Sequence, residues 1–186
     1  MEVIDAIRSR RSIGRMDGEV PRELIRELVA LATCAPNHHL TEPWRFTILS
    51  GAARERMGRI WGERAAASAA DPALADKLRE NEPRKLLRAP NLIVVSTRTD
   101  PHPIVAEEDF AATAAAVQNL LLAAHSRGLA AIWRTGKMVH DDAVKEFLGL
   151  DAADRIVGIV YLGSNPMVEP EGQERAVDNV IQWMSE

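Results

Sequence analysis

The run NLIVVSTR, residues 91–98, constrains the fold of this chain more than any other stretch. Introduced by Pro90 and apolar over most of its length, it reads as a buried strand, and such a strand needs cover from other elements. RFTILS (45–50), LAAIWR (129–134) and RIVGIVYLG (155–163) read as further strands. The segments between them are helical. Val3, Ile4 and Ile7 form one stripe of a short first helix. Pro21 suits a helix N1 position, with Leu24, Ile25, Leu28 and Ala32 as the apolar face and Pro36 as the stop. Helical composition runs from about Ala52 to Ala70 and resumes after Asp71-Pro72, a cap followed by N1. Glu107, Glu108 and Asp109 are expected to open a long helix that Gly128 closes. HDDAVKEFLG (140–149) reads as a short helix ended by Gly149.

Strict β-α-β alternation is absent, and there is no repeat or low-complexity linker. The expectation is an α+β fold, a central mixed or antiparallel sheet flanked by helices, forming one domain over 1–186. Trp183 is apolar surface near the C-terminus, so the tail, about 165–186, is expected to dock on a second subunit.

A net charge of −4 supplies no global field for nucleic acid or an anionic membrane. Cys34 is the only cysteine, so no intrachain disulfide forms. FAATAAAVQNLLLAA (110–124) is too short to span a bilayer and contains Gln118 and Asn119. The N-terminus reaches charge at once, without the apolar region of a signal peptide. A cytoplasmic protein is the expectation.

Against that acidic balance, RSRRSIGR (8–15) concentrates Arg8, Arg10, Arg11 and Arg15. A solvated helix end accounts for such a run on composition alone. Ser12 behind Arg10-Arg11 adds a hydroxyl to two forked guanidiniums, a donor set suited to a phosphate monoester. Nucleic acid would call for more basic surface and interleaved aromatic platforms. CAPNHHLTEPWRF (34–46) offers His38, His39 and Glu42 as metal ligands, yet no HExxH or cysteine pair accompanies them, and no metal is expected. The loop suits the edge of a planar ligand, or simply an anchor through Pro43-Trp44. IWRTGK (132–137) places Arg134, Thr135 and Gly136 just past a strand end, repeating the arginine-plus-hydroxyl set. No GxGxxG, P-loop or GxSxG elbow is present. No side chain is nominated as nucleophile, so an enzyme of this kind would work through a bound cofactor.

Taken in order, IRSRRS, AP-N-H followed by PWRF, and IWRTG with the downstream IVGIVYLG resemble the FMN-dependent nitroreductase family, most closely its compact bacterial NAD(P)H branch. The resemblance covers about residues 2–165. It implies a homodimer with FMN at the subunit interface and flavin-mediated, ping-pong hydride transfer from NADH or NADPH to a nitroaromatic or quinone-like acceptor. Carried over by position, Arg10, Arg11 and Ser12 match the first FMN segment, Cys34 and His38 the positions beside the PW loop, and Trp133, Arg134 and Thr135 the late FMN segment. Arg10, Ser12 and Arg134 would hold the phosphate end, while His38 and Trp133 border the ring. Ala123, Ala124, His125, Ser126, Arg127 and Gly128 match a nicotinamide segment, although a helix end closed by Gly128 already explains that composition. The family pattern has a basic residue two after the serine, which helps stabilise charge on the reduced flavin; this chain has Gly14 there. That departure motivates a non-catalytic FMN-binding or sensing protein as an alternative. Other flavin reactions on the same scaffold (dehalogenation, enone reduction, flavin degradation) are further alternatives, as is an interaction module without cofactor.

Overall fold

The computed structural model describes residues 1–167 and 175–185. Part of the expected tail docking, including Pro170, therefore lies outside the described residues. Six helices and a four-stranded sheet form three layers. The strands are β2 (Trp44–Ser50), β3 (Asn91–Thr97), β4 (Ala130–Arg134) and β5 (Arg155–Gly163), in the order β2-β3-β5-β4. All three pairings are antiparallel, so of the two expected sheet types the antiparallel one is present. Every residue of β3 is buried, as its composition demands, because helices cover both faces.

On one face, α2 (Arg22–Ala32) and α5 (Pro103–Ser126) pack Leu28, Ala116, Val117, Leu120 and Ala124 against Ile93, Val95, Val160 and Leu162. On the other, α3 (Ala52–Ala67), α4 (Pro72–Leu86) and α6 (Asp142–Phe147) bring Met57, Leu86 and Val144 against Leu92, Val94, Ile159 and Tyr161. The period-2 alternation of β3 and β5 thus divides one sheet between two cores. α3 and α4 approach closely because Gly58 and Gly62 lack side chains: a Cβ on Gly58 would lie 2.9 Å from the Pro83 Cα.

Helix starts follow capping chemistry with two differences from expectation. Asp71 and Asp141 accept hydrogen bonds from Ala73 and Ala143 backbone amides, capping α4 and α6. α5 begins at Pro103, four residues before Glu107, because Pro103 supplies the N1 position. The three carboxylates sit inside the helix and serve tertiary contacts instead. Glu107 pairs with Arg155 at 2.9 Å, Glu108 with His39 at 3.3 Å, and buried Asp109 accepts from Thr41. Pro21 is the N-cap of α2 rather than its first helical residue.

α1 (Val3–Ser9) buries only Ala6; Val3, Ile4 and Ile7 are exposed, so the predicted stripe exists and faces outward. Val180, Trp183 and Met184 of the tail are exposed too. The sequence gives no sign of one further pairing, β1 (Met16–Asp17) with β6 (Asn165–Pro166). The close passage of Met16 and Asp17 over Gly163 permits it; a Cβ there would lie 2.9 Å from the Asp17 carbonyl oxygen. Among the described residues, no helix is long and apolar enough to cross a membrane.

Candidate functional site

The arginine-rich segment leaves α1 at Arg10 and crosses the free edge of the sheet. The Ile13 amide donates to the Ala131 carbonyl of β4 at 3.2 Å, and the Met16 amide to the Arg88 carbonyl at 3.0 Å. The crossing distributes the segment to both sides of β4. Arg10 and Arg11 line a small cleft beside α5 with Leu121, His125 and Ala131. Gly14 and Arg15 lie on the other side, with Arg84, Arg88 and Arg134.

Arg11 folds back on its own turn, donating through Nη1 to the Arg8 and Arg10 carbonyls at 2.7 and 2.9 Å. That leaves Arg10 and exposed Ser12 as the outward donors. Burial, and then the neighbouring charge of Arg11, lower the pKa of Arg10. Both effects disfavour its charged form, and the opposite charge of a bound anion would offset them. Ser9 Oγ and His125 Nε2 lie 2.7 Å apart, fixing the end of α5 to α1 beside this cleft.

A larger cavity of about 300 Å³ opens beside α3 and α4. Trp61, Leu86, Met138, Ile159 and Tyr161 make apolar walls; Lys85, Arg88, Arg134 and Lys137 make it cationic. Glu82 is the acidic lining residue, and it is held by Lys85 at 2.5 Å and by the Trp61 indole N–H at 2.9 Å. Arg134 lies over the Tyr161 ring at 5.5 Å, and its Nε is buried without a hydrogen-bond partner. Arg88, Lys85, Tyr161 and Trp61 escape the sequence reading. The basic run RKLLR before Pro90 is the signal that could have found the first two.

Burial pushes the Tyr161 phenol up to about 12, against the opposing charges of Arg134 and Arg88. The native phenol therefore keeps its proton where the unfolded chain, with an ordinary value near ~10, has lost it. Stability from this residue is complete below pH ~10 and falls as pH rises to about 12, by roughly 2–3 kcal/mol. Tyr161 is the only tyrosine. A phenolate absorbance titration of the folded protein should show one transition near the upper value, shifted to the ordinary one in denaturant. Coincident midpoints would place the phenol in water.

The remaining predicted residues are arranged less compactly. Trp133 and Thr135 flank Arg134 at the end of β4; the Trp133 indole N–H donates to the Val157 carbonyl at 3.3 Å. Gly158 makes room for that ring. Cys34 is exposed past the end of α2, and His38 lies in an open groove with Glu108, Ala111 and Ala115. The loop carrying His38 is held in left-handed backbone at His39, Leu40 and Glu42, with φ of 60°, 52° and 46°. Asn37 supports it by accepting from the Glu42 amide at 2.7 Å. The potential ligand atoms of His38, His39 and Glu108 lie within 4.8 Å of one another, so the carboxylate beside the histidines is Glu108, not Glu42. His38 is beside Glu108 and Arg10 beside His125, positions 17 residues apart on α5 (125 − 108), or about 25 Å of helix. A single chain does not bring them together.

Of the proposed nicotinamide segment, Ala124 is fully buried and the Ser126 hydroxyl donates to the Ala123 carbonyl at 2.8 Å. Arg127 pairs with Glu27, and Gly128 closes α5 at φ 72°.

These residues fit a planar, phosphate-bearing cofactor such as FMN on two observations. Arg134 Nε is an orphaned buried donor, and the absence of a side chain at Gly14 lets the Arg134 guanidinium lie close to that backbone, where a Cβ would stand 3.1 Å from Nη2.

Comparison with known proteins agrees with this architecture. YfhC of Bacillus subtilis (strain 168), provisionally named an NAD(P)H nitroreductase, is 34% identical over 172 residues, covering 92% of this chain and 88% of its own. The crystal structure of a nitroreductase-like family protein from Bacillus cereus superposes with a TM-score of 0.87 at 30% identity, over 100% of this chain and 97% of that one. A protein from Desulfovibrio desulfuricans, solved in complex with FMN, gives a TM-score of 0.72 at 25% identity, over 100% and 98%. The family model described as "Nitroreductase family" matches residues 7–164, from the first arginines to the end of β5, and the chain belongs to that family.

Proposed function

We propose that this protein binds FMN and uses it to move reducing equivalents from NADH or NADPH to a nitroaromatic or quinone-like acceptor, in a ping-pong sequence. Family membership makes it an oxidoreductase. One observation carries the cofactor reading. The segment from Arg10 to Arg15 crosses the edge of β4 so that its donors and the Arg134-Thr135 pair flank the same strand.

FMN, when bound, supplies the hydride-accepting and hydride-donating centre. The chain's own residues bind and orient it. Arg10 and Ser12 offer charge-assisted and hydroxyl donors to the phosphate, and Arg11 holds the turn that presents them. Trp133 and Thr135 border the ring. His38, about 25 Å of helix from Arg10, would join the site from a second copy of the chain, and Cys34 with it. Exposed Val3, Ile4 and Ile7 on α1 and Val180 and Trp183 in the tail are apolar surfaces for a homodimer to cover. His125, fixed against Ser9, keeps the end of α5 beside the arginines, where a nicotinamide nucleotide would approach.

The visible spectrum of freshly purified protein, taken before and after anaerobic NADH or NADPH, tests this reading. A flavin spectrum that bleaches supports it, and aerobic and anaerobic acceptor screens then separate nitro and quinone reduction from the other flavin reactions. A flavin spectrum that persists favours the non-catalytic binding protein. A colourless protein that takes up no added FMN overturns the reading.

A further inference from the structure

We infer that His38, His39 and Glu108 form a divalent-metal site of the zinc type, joining the loop before β2 to α5. The inference stands on this cluster and not on the FMN reading. Adjacent residues of a helix or a strand point ~100° or ~180° apart, so two neighbouring histidines do not ordinarily turn both rings to one ion. Here His39 has left-handed backbone, with φ 60° and ψ 1°. Its ring meets that of His38 edge-on, with centroids 4.2 Å apart. A ligand atom from each ring and a carboxylate oxygen of Glu108 lie within 4.8 Å of one another. The fold thus supplies, from a distant helix, the third ligand that the order of residues in the loop withholds.

Two of the three ligands already stand at coordination spacing. Groups ~2.0–2.1 Å from a tetrahedral zinc are about 3.3–3.4 Å apart, and His39 Nε2 lies 3.3 Å from Glu108 Oε2. That oxygen is buried and has no hydrogen-bond partner among the described residues. Its contact with His39 therefore has the separation of an ion pair without the alignment of a hydrogen bond. A buried carboxylate oxygen left in this way is an acceptor suited to a cation. The His38 ring carries no hydrogen bond among the described residues, so it can turn to the third position. His38 and Glu108 also line an open groove, which leaves room for water as the fourth ligand.

Groups outside the metal shell fix the backbone that carries the two rings. Asn37 donates to the His38 carbonyl at 3.1 Å and accepts from the Glu42 amide at 2.7 Å. The Thr41 hydroxyl donates to buried Asp109, the neighbour of Glu108 on α5. Outer contacts of this kind hold ligands in register. Two imidazoles with one carboxylate select zinc over magnesium and calcium, which take oxygen ligands. Where the FMN reading also holds, the ion would fix the rotamer of the His38 ring that meets the flavin of a second copy.

The test is calorimetric titration of zinc chloride into the untagged full-length protein, treated with EDTA and dialysed, with and without FMN. Wild type is compared with His39→Asn, Glu108→Gln and Cys34→Ser, asparagine being chosen because it tolerates left-handed backbone. Wild type should bind one zinc per chain, resist excess magnesium, and show nitrogen and oxygen but no sulfur ligands at the zinc K-edge. Loss of an outer-shell partner alone costs about 10- to 100-fold in metal affinity, so His39→Asn and Glu108→Gln should each lose at least about 100-fold. Cys34→Ser should bind as wild type does. Zinc should raise the Tm of wild type and leave those of the two ligand variants unmoved, a comparison made within each protein and so independent of their own stabilities. Absence of saturable zinc binding overturns the inference. So do displacement by magnesium, sulfur in the zinc shell, or an affinity that Glu108→Gln leaves unchanged. Protein that binds zinc in this way but takes up no FMN would keep the metal site and overturn the cofactor reading alone.

Discussion

Gly158→Ala should be among the most damaging single-methyl additions this chain can receive. A Cβ at 158 would lie 2.5 Å from Trp133 Cδ1, closer still to Nε1, and 3.0 Å from the Arg134 carbonyl oxygen. The backbone oxygen belongs to a paired strand, so the indole must move. Its displacement breaks the bond to the Val157 carbonyl and exposes ring surface now packed against the core under α5. Overpacking and lost burial together cost about 2–4 kcal/mol, a fall of roughly 5–10 °C in Tm for a domain of this size. Because Trp133 also borders the proposed ring site, FMN affinity should fall with stability. Thermal melts of apo and FMN-loaded protein check both. A variant that melts within a degree or so of wild type would mean that the strand bends enough to seat the methyl group.

Arg10→Ala should produce the largest loss of cofactor affinity. Arg10 is the arginine of the first segment that is half-buried and not folded onto its own backbone, and it already bears the cost of burial beside Arg11. Each hydrogen bond between charged groups contributes ~1.5–3 kcal/mol, so the FMN dissociation constant should rise about 10- to 100-fold. Riboflavin, which lacks the phosphate, should bind the variant and wild type equally. Arg11→Ala should act more weakly on FMN, through the loosened turn. Equal losses for FMN and riboflavin in Arg10→Ala would remove Arg10 from the phosphate.

Most of the scaffold was legible because its elements are set by local patterns. The four strands of the main sheet fall within a residue or so of their apolar runs, and Asp71-Pro72 starts a helix as its chemistry dictates. The start of α5 was misplaced because carboxylates serve two purposes. Glu107, Glu108 and Asp109 resemble a helix-opening cluster, yet they reach Arg155, His39 and Thr41, partners distant in sequence. Pro103 was the better signal. Positive φ at His39, Leu40 and Glu42 was not legible, since none is glycine and only the surrounding contacts hold them there.

The candidate site was legible as residue types but not as an arrangement. Arg10, Ser12, Arg134 and Thr135 stand out in sequence; that β4 separates Arg10 from Arg134's cavity does not. Gly14 reads in sequence as a departure from the family pattern, and only the structure shows that the Arg134 guanidinium lies against it. The same holds for Gly158: a glycine in a strand is visible, but the indole that uses its space is contributed by another strand.

The crossing of β4 by residues 10–16 joins two properties usually kept apart. β4 is an outer strand of the sheet, and the Ile13 amide occupies one of its outward carbonyls. An uncovered outer strand is a template for pairing with foreign chains. The residues flanking Ile13 are the ones proposed to grip the cofactor, so a ligand held there stabilises the covering strap by RT ln(1 + [L]/Kd). A flavin held by those residues would thereby also help keep that edge closed to foreign strands.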